Sequence, residues 1–211
     1  MRFLLLIFAL GPLLAGLSAC SSDGGDGGTA PTTEPLGCPE NRWPPCPEEE
    51  DDRPRGFLPG TVAPSVEGVD QFGDRVVLEQ FRGGTVVLSV GATWCRSCND
   101  DAAGHASNRD FLLEAVEGPL WMIDVLDDAR DPDDPAQTAW AEAYGIEDPV
   151  LGGDGAAAAG RALAVSTFPT KIVIDHEGRI VGRVSGSGQW EQVRVWVQEA
   201  DLRRADHGSD T

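Results

Sequence analysis

The 211-residue chain changes character three times along its length. Phe3 to Leu17 is an apolar run broken only by Gly and Pro. Residues 20–56 hold Gly, Pro, Ser, Thr and acids without apolar periodicity, a composition that cannot supply a core. From Phe57 onward the pattern is that of a folded domain. Thr85-Val86-Val87-Leu88-Ser89-Val90 is apolar and β-branched, which predicts a buried strand, and Leu120 to Leu126 predicts a second. Val76-Val77-Leu78, after the turn Phe72-Gly73-Asp74, predicts a short strand. Between the two buried runs, Phe111, Leu112, Ala115 and Val116 place apolar positions on a helix over about 95–117, ended by Gly118-Pro119. Strand, helix and strand at this spacing make a parallel unit with a right-handed crossover.

Further helices are predicted at about 136–144 and 154–164. Lys171 to Asp175 and Arg179 to Val184 flank His176-Glu177-Gly178, an antiparallel hairpin with glycine in its turn. A closing helix over 189–200 carries Trp190, Val193, Trp196 and Val197 on one face. The domain therefore spans 57–200, with a polar tail at 201–211, and its class is α/β.

Charge narrows the function. The chain has 35 acidic and 16 basic residues, a formal charge of -19, which excludes nucleic acid as a partner because its phosphates would be repelled. There are five cysteines: Cys20, Cys38, Cys46, Cys95 and Cys98. The odd count is resolved at the N-terminus. Arg2 and the apolar run have the layout of a secretory signal over 1–19, too short for a membrane span. The run ends in Leu17-Ser18-Ala19-Cys20, which resembles the lipobox of bacterial lipoproteins, with Cys20 as the lipidated residue. An ordinary signal peptide with an unrelated cysteine is the alternative. Lipidation would hold the domain on a membrane and leave four cysteines in an oxidising compartment. Residues 20–56 would then be a tether reaching about 30–36 Å as a random coil. Within it, Cys38 and Cys46 are expected to form a local disulfide around Trp43. No histidine lies near them, and two cysteines cannot complete a zinc shell. No metal or cofactor is expected.

Gly91-Ala92-Thr93-Trp94-Cys95-Arg96-Ser97-Cys98 lies where a buried strand gives way to a helix. A thiol at a helix start faces unpaired N–H groups and the positive end of the dipole, which favour thiolate. Cys98, three residues on, is within disulfide reach. Cys95 is thus the expected nucleophile and Cys98 the resolving thiol. Asp100 and Asp101 oppose the thiolate, and Arg96 favours it.

These residues, together with Ser166-Thr167-Phe168-Pro169-Thr170 ahead of Lys171-Ile172-Val173-Ile174-Asp175 and Gly178, resemble the thioredoxin superfamily, in particular its TlpA-like membrane-tethered thiol–disulfide oxidoreductases. The resemblance covers about 57–200. It implies a central mixed β-sheet with helices on both faces, an insertion at 127–164, and a cis peptide before Pro169. It further implies a substrate groove shaped by Trp94, Phe168 and Pro169, in which Phe168 offers backbone hydrogen bonds to an extended substrate. The implied partners are exported protein thiols and disulfides and a membrane thiol protein as electron donor, in the periplasm or another extracytoplasmic space. Reduction is the implied direction. An oxidase or isomerase, and a non-catalytic module with a structural disulfide, are the rival functions. Two departures stand out. Ser89 occupies the place of a buried acid six residues before Cys95, and Arg-Ser replaces Gly-Pro between the cysteines.

Three other features are read as structural. His105 is expected on the helix surface or partly packed. The acids from Asp127 to Asp134 lack the glycine and distal glutamate of an EF-hand loop. A peroxidase relative would need Thr or Ser where Ala92 stands.

Overall fold

The structure, a computed structural model, describes residues 39–47, 51–131 and 135–208. Along them run β1 (Glu67–Val69), β2 (Arg75–Val77), a 3₁₀ turn (Leu78–Phe81), β3 (Thr85–Gly91), α1 (Arg96–Ala103), α2 (His105–Leu113) and β4 (Leu120–Leu126). Then follow α3 (Ala136–Tyr144), β5 (Val150–Leu151), α4 (Gly153–Ala162), β6 (Thr170–Ile174), β7 (Ile180–Ser185) and α5 (Trp190–Gly208). Five strands form one mixed sheet in the order β5-β4-β3-β6-β7, and β1 and β2 form a separate antiparallel pair. β3 is central. It runs parallel to β4, in register from Thr85–Leu120 to Gly91–Leu126, and antiparallel to β6. The expected α/β architecture, a mixed sheet with helices on both faces, is the one observed.

Strand alternation sorts the core. Val86, Leu88, Val90, Ile123, Val125, Ile172 and Ile174 pack on one face with Ala156, Ala159 and Leu163 at α4. Val87, Met122 and Val173 pack on the other with Leu112 of α2 and Val193 and Val197 of α5. A third cluster joins Cys95 and Cys98 to Trp140 and Ala141 of α3. The sheet face under α2 and α5 is not purely apolar. Ser89 stands in register between Asp124 of β4 and Lys171 of β6, so three polar side chains cross the sheet in one row.

Several expectations are corrected. The helix over 95–117 is two helices, α1 and α2, divided at Gly104, and it ends near Leu113. Glycine costs about 1 kcal/mol relative to alanine inside a helix, so the break falls at the weakest residue. The strand placed at Val76–Leu78 lies one residue earlier, and Leu78 opens the 3₁₀ turn. The short strands β1 and β5 were not foreseen; three and two residues carry too little periodicity. α5 continues through much of the stretch read as a polar tail.

Part of the stretch read as tether packs on the domain. The Trp43 ring meets Phe81 at 6.3 Å and Trp121 at 6.4 Å between centroids, and its Nε1 donates to Asp70 Oδ2 at 2.7 Å. Gln80 Nε2 donates to Asn41 Oδ1 and to the Pro44 carbonyl, each at 3.0 Å. Further on, Asp51 accepts from both Arg53 and Arg82. The Arg53 guanidinium holds its carboxyl well below the usual carboxylate range. Arg53 also donates to the Glu177 carbonyl at 2.6 Å, which ties this segment to the β6–β7 turn. Cys46 is disulfide-bonded, and Cys38, expected as its partner, lies outside the described residues, as do Cys20 and the signal segment.

Candidate functional site

β3 ends at Gly91, and four residues later Cys95 caps α1. Cys95 has extended backbone, φ -80° and ψ 107°, and its Sγ accepts from the Cys98 N–H at 3.2 Å. The sulfur therefore holds the place a Ser or Asp side chain takes at an ordinary helix start, and it shares the Cys98 N–H with the Cys95 carbonyl at the positive end of the helix dipole. Ser97 Oγ lies 3.5 Å from the same sulfur. Cys95 and Cys98 are joined as a disulfide, with Cα atoms 5.2 Å apart. Both are buried, and the neighbouring Trp94 is 72% exposed.

Gly91 makes room for Cys98. A Cβ at Gly91 would stand 3.0 Å from Cys98 Sγ and 3.3 Å from its Cβ. The loop between strand and helix is held from the turn after β4: Asp128 accepts from the Thr93 N–H at 2.9 Å and from the Thr93 hydroxyl at 2.5 Å. Asn99 Nδ2 donates to the Thr93 carbonyl at 3.3 Å, so α1 grips the loop from the other side. Trp94 is thereby fixed at the rim.

The opposite wall comes from the segment entering β6. The Phe168–Pro169 peptide is cis. The Phe168 ring lies 6.0 Å from the Trp94 ring and packs against the cluster that contains both cysteines. Thr170 Oγ1 donates to the Thr167 carbonyl at 2.7 Å, and the Gly186 N–H donates to the Pro169 carbonyl at 2.8 Å. The fold thus brings Trp94, Cys95, Cys98, Phe168 and Pro169 to one place from two segments some seventy positions apart in the chain.

Two buried charge groups beside this centre escaped sequence reasoning. Asp101, expected to bear on the thiolate, turns instead to Lys171, whose Nζ lies 2.5 Å from its Oδ2. His105, expected on the helix surface or partly packed, is buried. Its Nε2 lies 3.1 Å from Asp148 Oδ2 and its Nδ1 3.5 Å from Asp124 Oδ2. Arg109 Nε donates to the same Asp148 oxygen at 3.0 Å. Burial pulls the His105 pKa down, but the carboxylates of Asp124 and Asp148 outweigh it and push the value up to about 9. The signal available in the sequence was a lone charge inside each buried strand, Asp124 in β4 and Lys171 in β6. A charge there must find a partner. No cluster of three or more His, Cys, Asp or Glu side chains suited to a metal occurs among the described residues.

The chain is 24% identical to the thiol-disulfide oxidoreductase ResA of Bacillus anthracis over 140 residues, 66% of this chain and 77% of that protein. The thioredoxin domain of a thiol-disulfide oxidoreductase from Bacteroides vulgatus superposes with a TM-score of 0.55 at 21% identity, over 67% of this chain and 99% of that one. The exposed lipoprotein thioredoxin Etrx1 of Streptococcus pneumoniae superposes with a TM-score of 0.51 at 20% identity, over 64% of this chain and 99% of that one. Residues 59–183 match the AhpC/TSA family. The chain belongs to the AhpC/TSA family, within the thioredoxin-like fold.

Proposed function

We propose that this protein is an extracytoplasmic thiol–disulfide oxidoreductase that reduces protein disulfides through Cys95 and Cys98. The observation that carries this reading is the placement of the pair: Cys95 Sγ caps α1, accepts the Cys98 N–H, and lies beside the Trp94–Phe168 rim. The relatives named as thiol-disulfide oxidoreductases support the same class.

The chemistry runs from the dithiol form. Cys95 thiolate attacks one sulfur of a substrate disulfide; the substrate S–S bond breaks, a mixed disulfide forms and one substrate thiolate leaves. Cys98 gives up its proton and attacks Cys95 Sγ; the mixed disulfide breaks and the second substrate thiolate leaves. Two electrons pass to the substrate; one departing thiolate takes the Cys98 proton and the other takes one from solvent, where Cys95 left its own on becoming thiolate. A membrane thiol protein would restore the dithiol. Trp94, Phe168 and Pro169 form the substrate groove, and the backbone of Phe168 would pair with an extended polypeptide.

Cys20 is the proposed lipid anchor, with Cys38 and Cys46 as a structural disulfide in the segment between anchor and domain. Among the described residues no helix is long and apolar enough to cross a membrane. A Cys20→Ala protein should leave the membrane fraction; retention there would refute the anchor.

The test of the activity is trapping. Cys98→Ser protein should accumulate mixed disulfides with exported proteins, and a Cys95→Ser/Cys98→Ser protein should accumulate none. A redox titration then sets the direction. A couple near about -270 mV fits a reductase, and one near about -120 mV an oxidant. A pair that resists reduction below about -300 mV, with no trapped partner, would make the disulfide a staple and remove the enzymatic reading.

A further inference from the structure

Lys171 lies on β6 with its side chain fully buried, and Asp101 lies on α1 with 9% of its side chain exposed. The ammonium donates to Asp101 Oδ2 at 2.5 Å and to the Gly186 carbonyl at 3.3 Å, and it faces the Trp190 ring at 4.7 Å. The other carboxylate oxygen of Asp101 accepts from Ser187 Oγ at 2.8 Å and from the Gly188 N–H at 3.1 Å. Gly186 also donates its N–H to the Pro169 carbonyl. The turn 186–188 after β7 is therefore bonded to both walls of the groove. It holds α1, which bears Cys98, through Asp101, and it holds the Pro169 segment through Gly186. Gly186 (φ 102°) and Gly188 (φ 70°) occupy the left-handed region, which suits this sharp path.

Burying an ion pair costs desolvation that its attraction rarely exceeds, so such a pair adds little net stability over an apolar replacement. Its geometric effect is different. The carboxylate accepts three donors and the ammonium bridges two elements, so the spacing of α1 from the Pro169 segment has one low-energy value.

We infer that Lys171 and Asp101, with Ser187, form a positioning clamp that sets the width of the groove between the Cys98 helix and Pro169, and so governs which disulfides reach Cys95. The inference rests on the proposed oxidoreductase reading. Among the described residues, the hydrogen-bond partners of Cys95 Sγ are the Cys98 N–H and Ser97 Oγ, and none of the three is among them. A polypeptide disulfide must lie against both walls, whereas a small open-chain disulfide needs access to Cys95 alone.

The experiment uses pre-reduced full-length wild type, Ser187→Ala, and the charge-free pair Lys171→Met/Asp101→Leu. Single-turnover rates are followed with hydroxyethyl disulfide and with a synthetic extended peptide closed by one disulfide. For the peptide, the half-saturating concentration should rise about tenfold in the double variant and about threefold in Ser187→Ala, as expected for lost ground-state binding, with the limiting rate within about twofold of wild type. The pH midpoint of Cys95 alkylation should stay in place in both. A shifted midpoint, or an equal loss of limiting rate with both disulfides, would overturn the clamp and assign the pair to thiol chemistry. Ser187→Ala is a surface change and keeps the test open if the double variant fails to fold. Amide exchange supplies a readout apart from turnover. Gly186 and Gly188 should exchange about tenfold faster in Ser187→Ala, and unchanged exchange would overturn the clamp. If wild type reduced neither disulfide, the oxidoreductase reading would fall, and the exchange result alone would decide whether the clamp exists.

Discussion

Cys98 rests against the α-carbon of Gly91, so close that a methyl group there would come within 3.0 Å of its sulfur. The last residue of β3 thus sets how deeply the second cysteine sits behind the first. Gly91→Ala should push Cys98 away and cost about 1–3 kcal/mol, the usual range for overpacking a filled site. It should also prolong the mixed disulfide, because the attacking sulfur is displaced. Denaturant unfolding of the oxidised protein and the decay of a trapped mixed disulfide test the two halves separately. Wild-type behaviour in both would mean that the strand end yields without consequence.

His105 makes stability depend on pH. Its folded pKa is raised to about 9 from the ordinary 6.5, so the charged ring stabilises the folded state. That contribution is complete below about pH 6.5 and is lost as pH rises through about 9. Denaturant midpoints taken from pH 6 to pH 10, in steps of about one unit, should therefore fall on the alkaline side. In His105→Gln that fall should flatten, since Asp124 and Asp148 lose the titrating partner. An alkaline slope identical in both proteins would remove His105 as its source.

Trp43 fastens the N-terminal segment to the sheet. Trp43→Ala removes its contacts with Phe81 and Trp121 and the bond to Asp70, and should cost about 3 kcal/mol. A fragment beginning at residue 57 should be less stable than one beginning at residue 37 by at least as much. Calorimetry of the two fragments decides the point, and coincident melting temperatures would show that the segment docks without effect.

Asp128 holds the loop before the nucleophile. Asp128→Ala leaves the Thr93 N–H and hydroxyl without their acceptor, at about 1–3 kcal/mol. Trp94, set free, should give a more mobile fluorescence signal, seen as lower anisotropy in a protein where the other tryptophans are replaced. Unchanged anisotropy would place the rigidity of the loop elsewhere, in Asn99 or in the helix cap.

The patterns that determined the most were periodic and local. Thr85 to Val90 and Leu120 to Leu126 became neighbouring central strands because continuous apolar runs can be satisfied only between two covered faces. The hairpin turn followed from Gly178, whose φ of 85° favours glycine. The cysteine pair at the strand-to-helix junction was also legible, because spacing alone places one sulfur at the cap and the other one turn on. What the tertiary structure decided was pairing across long separations. Nothing near Asp101 announces Lys171, seventy residues away, and nothing near His105 announces Asp148. The same holds for Trp43, which in a Pro-rich acidic stretch has no periodic context and finds its place only against Phe81 and Trp121. A charge or ring buried alone is costly wherever it lies, but which partner relieves it depends on how the strands and helices stack. That stacking is a property of the whole chain and not of any window along it.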